Sequence, residues 1–267
     1  MPKITILGIG SADTIQYYNA SFFLEDNEKT GMLVDTGGGN GILSQLHKAN
    51  IPLEKIDRVF LTHHHMDHSL GVLWILRFLG SKINKDPSLS LTIYCTSRTK
   101  QIIESLFVLL KKKVTDLIGS RIILHGLKDG EKISFEFGTM TCFNISSQKD
   151  SQFGFRYDFN NGKSLVMLGD ESYRDHLKQY CANATVLIHD AYCLEEHRDR
   201  FHPEGMSHST VKEAAENAQL LGAKKLILLH SEEKATLGKR KELYSHEGGQ
   251  YFSGDIIAPD DLDVLEI

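Results

Sequence analysis

Apolar positions along this chain follow two periods. Residues 3–12, 20–24, 31–39, 57–61, 91–95, 121–125, 164–170, 184–191 and 225–230 each carry a short apolar run bounded by glycine or polar residues, which predicts buried strands. Residues 132–137 and 140–145 alternate apolar and polar side chains across a glycine, which predicts a hairpin. Helical spacing appears at residues 42–48 and 70–79, and over 99–117, where Ile102, Ile103, Leu106, Leu109, Leu110, Val114 and Leu117 share one stripe. Lys111, Lys112 and Lys113 near the end of that last segment read as a solvated face favoured by the helix dipole. A further helix is expected after Thr210, which forms a capping box with Glu213. Val211, Ala214, Ala215, Ala218 and Leu221 give its small-residue stripe, and Gly222 stops it. Strands alternating with helices predict an α/β fold.

Composition narrows this only modestly. The chain has 267 residues, 5 prolines, no linker-like run and no repeat, so a single domain over 1–267 is expected. A net charge of −5 argues against a dedicated nucleic-acid binder but leaves room for a local RNA-binding patch. The start lacks a signal-peptide pattern and no apolar run reaches spanning length, which predicts a soluble, cytoplasmic protein that does not engage membranes. Its 4 cysteines show neither Cys-x-x-Cys spacing nor the density of a disulfide scaffold and read as reduced core thiols. Gly8 and Gly10 begin a dinucleotide-like turn, but position 13 is Asp13 and no helical pattern follows, so a Rossmann site is rejected.

The informative stretch is residues 61–71, Leu-Thr-His-His-His-Met-Asp-His-Ser-Leu-Gly. Residues two apart at the end of a strand point the same way, so His63 and His65 share a side and can chelate one ion, while His64 faces elsewhere. Asp67 and His68 follow where the chain turns into an apolar helix, and can hold a second ion. Imidazoles with a carboxylate suit Zn²⁺, with Mn²⁺ or Fe as alternatives. Asp35, an acid at the end of an apolar strand, and Asp170, which emerges after Gly169 from another, are further candidates. So is His230, at the end of the strand at 225–230.

The His-x-His-x-Asp-His order between a strand and an apolar helix resembles the metal-binding motif of the metallo-β-lactamase-fold hydrolases. That resemblance implies a four-layer αββα sandwich with one or two ions, Asp170 as the carboxylate that joins them, His230 as the last ligand, and Asp35 beneath the site against a ligand histidine. The segment His208-Ser-Thr, followed by a helix, a strand and a terminal histidine, is similar to the ribonuclease Z branch. There the corresponding histidine is no ligand but faces the scissile phosphate, which implies that His208 is a general acid.

Two departures from the family matter. No histidine occurs between His125 and His176, where the family places a further ligand. Alternative alignments put Ser146 or Gln148 at that position; water or Asp150 taking its place, or a weak first site, are the other readings. The arm with which bacterial ribonuclease Z grips the tRNA elbow has no room between Ser146 and Asp170. The expected activity is therefore hydrolysis of a phosphodiester, RNA included when no elbow contact is needed, by a water that one or two Zn²⁺ ions acidify toward a pKa of ~7. Asp67 orients that water or takes its proton. Alternatives are hydrolysis of a lactone, thioester or β-lactam, and a non-catalytic metal- or ligand-binding relative. The resemblance also implies a homodimer.

Overall fold

A computed structural model describes residues 2–110 and 116–267, the side chains of 108–110 excepted. Lys111, Lys112, Lys113 and Val114 lie outside the described residues, as do the side chains of Leu109 and Leu110. The chain forms two compact units. One comprises Met1–Gly8, Tyr18–Lys128 and Asp261–Glu266; the other comprises Ile9–Tyr17, Asp129–Asp260 and Ile267.

The first unit holds a mixed seven-stranded sheet in the order Val264–Glu266, Lys3–Gly8, Ser21–Glu25, Gly31–Val34, Ile56–Phe60, Leu91–Cys95 and Ile122–Gly126. Pairing is antiparallel as far as Gly31–Val34 and parallel beyond it. The helices Gly41–Lys48 and Val72–Lys85 appear where their spacing predicted them; the segment expected to be helical over 99–117 is helical over Ser97–Leu110, and Leu117 lies in a turn. Val72, Ile75, Leu76, Leu79 and Ile83 recur every three or four residues, so one face of Val72–Lys85 is buried in a core with Leu33, Val59, Leu61 and Ile93. This helix ends at Asp86, whose φ of −115° and ψ of 110° are extended, because the ring of Pro87 disfavours helical geometry in the residue before it.

The second unit holds another mixed seven-stranded sheet. Its order is Asp255–Ile257, Lys225–Leu229, Val186–Asp190, Ser164–Met167, Phe153–Phe159, Gly138–Asn144 and Lys132–Phe135. The first four strands run parallel and the hairpin-connected remainder antiparallel. Helix Val211–Leu221 begins at the expected capping box, with the Glu213 N–H donating to Thr210 Oγ1 at 3.3 Å and the Thr210 N–H to Glu213 Oε2 at 2.9 Å. Its alanine-rich face, buried with Leu187, Leu226 and Leu228, lets it lie close on the sheet, and Gly222 at φ 66° ends it.

In each sheet the predicted functional residues lie at the carboxyl ends of parallel strands, where open α/β sheets place their ligands. Asp35 follows Gly31–Val34 and His63 follows Ile56–Phe60; in the other unit, Asp170 follows Ser164–Met167 and His230 follows Lys225–Leu229. All four cysteines are buried free thiols. Among the described residues, no helix is long and apolar enough to cross a membrane.

Candidate functional site

In the first unit, the loop after Ile56–Phe60 is organised by Asp35, which is 1% exposed. Its Oδ1 accepts the Thr62 N–H at 2.9 Å, and its Oδ2 accepts the Thr62 hydroxyl at 2.9 Å and faces His68 Nδ1 at 2.8 Å. A carboxylate only accepts, so His68 must carry its proton on Nδ1, which leaves a lone pair on Nε2. The Thr62 hydroxyl, having donated to Asp35, accepts from His63 Nδ1 at 2.9 Å, and His63 too is left with a lone pair on Nε2. One buried acid thus sets the tautomer of two imidazoles. His68 Nε2 is 3.1 Å from Asp67 Oδ2, and the His63 ring centroid lies 4.3 Å from that of His65 and 4.4 Å from that of His68.

The local fold follows from close backbone approach. Thr36 N–H and Oγ1 both donate to the His68 carbonyl, at 2.7 and 2.9 Å, and the Gly71 N–H donates to the Gly37 carbonyl at 2.8 Å. A side chain at Gly71 would put its Cβ 1.9 Å from the Thr36 carbonyl oxygen, so only glycine closes this turn.

The second unit presents another cluster. Asp170, His208 and His230 each offer a donor atom, all within 4.8 Å of one another. Asp170 Oδ2 is 3.8 Å from His230 Nε2. Beneath them lies Asp190, 1% exposed, whose Oδ1 is 3.2 Å from His230 Nδ1 and 3.3 Å from His208 Nδ1, while Oδ2 accepts the Ser209 N–H at 2.6 Å. Burial pushes the Asp190 carboxyl up, but the two imidazoles outweigh it and hold the group below the usual carboxylate range. His208 Nδ1 also lies 2.7 Å from the Asp170 carbonyl, so both neighbours of this nitrogen are acceptors and it carries a proton. The ring stacks on Tyr192 at 5.2 Å and lies 4.9 Å from the His230 ring.

Of the candidates for the missing histidine, Ser146 and Gln148 are both exposed. Ser146 has a φ of 57° and donates its N–H to Asn144 Oδ1 at 2.8 Å. The side chain that reaches Asp170 is instead Gln152, 2% exposed, whose Nε2 donates to Oδ1. Sequence analysis singled out neither Gln152 nor Asp190. The signal for Asp190 was its place at a strand end beside His189; for Gln152, a residue just before the strand Phe153–Phe159, no local pattern marks the role.

The donor set fits a divalent metal. His63 and His68 are left with Nε2 lone pairs by buried partners, and carboxylates lie beside His68 and His230; neutral imidazole with carboxylate is what borderline divalent ions take.

Known proteins resemble this chain. Residues 30–231 match the family model described as the beta-lactamase superfamily domain. Ribonuclease Z of Archaeoglobus fulgidus is 25% identical over 307 aligned residues, covering 97% of this chain and 95% of that protein. The metallo-β-lactamase-fold protein YhfI of Bacillus subtilis is 20% identical and superposes with a TM-score of 0.77 over 100% of both chains. The short form of human tRNase Z is 23% identical with a TM-score of 0.76 over 99% of both. These likenesses show the α/β fold of the metallo-β-lactamase type that the sequence led us to expect.

Proposed function

This chain belongs to the beta-lactamase superfamily, and from that premise we propose that it is a metal-dependent phosphodiesterase of the ribonuclease Z kind. The family match runs through residues of both compact units, which supports reading 1–267 as one hydrolase domain. We assign His63, His65, Asp67, His68, Asp170 and His230 to holding divalent metal, and favour Zn²⁺ for that imidazole and carboxylate set, with Mn²⁺ or Fe as alternatives. When bound, the metal makes water nucleophilic near neutral pH and neutralises charge on the phosphoryl oxygens.

The chain's own side chains do the rest. Asp67 takes the proton released as water attacks phosphorus. His208 gives a proton from Nε2 to the leaving oxygen, while its Nδ1–H donates to the Asp170 carbonyl and lies 3.3 Å from Asp190 Oδ1. Stacking on Tyr192 fixes the plane of the ring. The observation that carries this reading is the shared carboxylate: Asp190 anchors both His208, in its His-Ser-Thr loop, and His230.

The substrate class follows from what the second unit lacks. Between Asn144 and Asp170 the described chain makes a short loop and a tight hairpin, Phe153–Phe159 to Ser164–Met167, with no protruding segment. We therefore favour RNA or another phosphodiester that needs no contact with a tRNA elbow. Four buried thiols suit the cytoplasm, where we place the protein.

The test is turnover by metal-reconstituted protein of bis(p-nitrophenyl) phosphate, of RNA bearing a 3′ trailer, and of a lactone, a thioester and a β-lactam. Phosphodiester cleavage alone is expected. Acyl turnover alone moves the assignment to an acyl hydrolase, and neither turnover nor stoichiometric metal leaves a binding protein.

A further inference from the structure

Resting on the metallohydrolase reading, we propose that Gln152 confines Asp170 to a single ion, so that the chain holds one divalent metal tightly rather than two. A carboxylate joins two cations by giving a lone pair to each. Here the Gln152 amide donates to Oδ1, which engages a lone pair of that oxygen and sets the positive end of an amide dipole where a second cation would otherwise be attracted. Oδ2 faces His230 Nε2 at 3.8 Å. Asp170 is thereby presented as a ligand to one ion, on the His230 side.

This contact is built into the fold. Gln152 is 2% exposed, and its carbonyl accepts the Ile145 N–H at 3.1 Å, so its backbone is fixed at the mouth of the hairpin. The residue before the acid is Gly169, at φ 92°, and a Cβ there would lie 2.8 Å from Gln152 Nε2. Glycine therefore serves twice, allowing the backbone turn and leaving space for the amide against it. The positions that alignment to the family offered lie in the loop from Ser146 to Asp150. Its base is tied down by Arg174, which donates to the carbonyls of Ile145 and Ser146, while the side chains of Ser146 and Gln148 are exposed. Gln152 is on this account a positioning residue, acting through Asp170.

Metal stoichiometry tests the inference without recourse to activity. Metal-free protein is titrated calorimetrically with Zn²⁺, then loaded, gel-filtered and analysed for metal per chain. Wild type should bind one equivalent tightly. Gln152→Glu and Gln152→His replace the donor by a ligand and should each bind two. Gln152→Ala removes the donor without adding a ligand, so Oδ1 is released and a second equivalent should bind, more weakly than in the Glu and His variants; a folded Ala variant that stays at one equivalent counts against the inference. Melting of the metal-free variants shows which of them are folded. Two comparably tight equivalents in the wild type, which requires no variant, overturn the inference. So does a folded Glu or His variant that stays at one. A wild type that binds no ion is a separate result, which removes the metallohydrolase reading as well.

Discussion

Replacing Asp35 by asparagine should empty the metal site while leaving the fold almost intact. The Thr62 N–H must have an acceptor, so the new amide oxygen takes the place of Oδ1 and the amide nitrogen the place of Oδ2. That nitrogen then donates to the Thr62 hydroxyl and to His68 Nδ1, where the carboxylate had accepted from both. His68 Nδ1 becomes an acceptor and its proton moves to Nε2, removing the lone pair that a metal needs. Thr62, now receiving a hydrogen bond, turns its own proton toward His63 Nδ1, and that ring reverses as well. Loss of such a partner typically lowers metal affinity about 10–100-fold, or ~1.4–2.8 kcal/mol, and reversal of two rings puts Asp35→Asn at or beyond the upper end. The folded state suffers less. Three charge-assisted bonds worth about 1.5–3 kcal/mol each give way to neutral ones of about 0.5–1.5, a loss of ~1–1.5 kcal/mol per bond that relief from burying a charge offsets in large part, which leaves a drop of several degrees in Tm. Asp35→Ala should instead strip partners from three buried groups and cost several kcal/mol. Calorimetric metal titration and melting of metal-free protein, run on both variants, separate the two effects. Wild-type metal affinity in a folded Asp35→Asn protein would refute the reasoning.

Further outcomes follow from the same contacts. His208→Ala should keep its metal content yet lower the rate by ~10²–10⁴-fold on a substrate expelling a ribose oxygen, and much less on one expelling p-nitrophenolate; equal losses would take His208 out of the acid role. Stripping metal with a chelator should lower Tm, and adding it back at 100 times its Kd should restore about 2.7 kcal/mol of stability; a Tm indifferent to metal would contradict the proposed site. Burial raises the Glu247 carboxyl above its ordinary value of 4.5 even though it accepts the Glu195 and Lys212 N–H groups at 3.0 and 3.1 Å. A raised carboxyl favours the folded state only while protonated. Its contribution is complete below pH 4.5 and is lost as pH rises through the folded value. Urea midpoints should therefore drop more between pH 4.5 and 7 in wild type than in Glu247→Gln, and parallel profiles would count against this.

Periodicity made most of the architecture legible. The strand Leu91–Cys95 and the capped helix Val211–Leu221 stand where their patterns put them, because each pattern reports the burial of one face and burial is what fixes the element. The histidine segment was legible for a related reason, since alternation at the end of a strand already states which rings share a side. The connections beneath the site were less readable. That Asp35 reaches His68 depends on where Gly31–Val34 pairs with Ile56–Phe60, which local sequence does not state; family resemblance supplied the expectation. Asp190 and Gln152 were underweighted because their partners lie 18 or more residues away in the chain. Ser146 and Gln148 were chosen by counting along the chain, and counting cannot see that the loop leaves these two side chains exposed.

Asp35 and His230 share a backbone feature whose consequence is evolutionary. Their φ angles of 51° and 61° lie in the left-handed region, which for a residue with a side chain costs roughly 1–2 kcal/mol relative to ordinary backbone. Glycine would relax either position, and even after the greater chain entropy it loses on folding, a gain of about 0.5–1 kcal/mol remains at His230, where the larger ring meets the greater penalty. At Asp35 that relief is outweighed by the three buried groups a glycine would leave without their acceptor, so selection for stability alone pushes only position 230 toward glycine, and selection for chemistry pushes it back. A lineage released from the chemistry would slide down that slope early, so the identity at 230 records whether a descendant of this chain still works for its living.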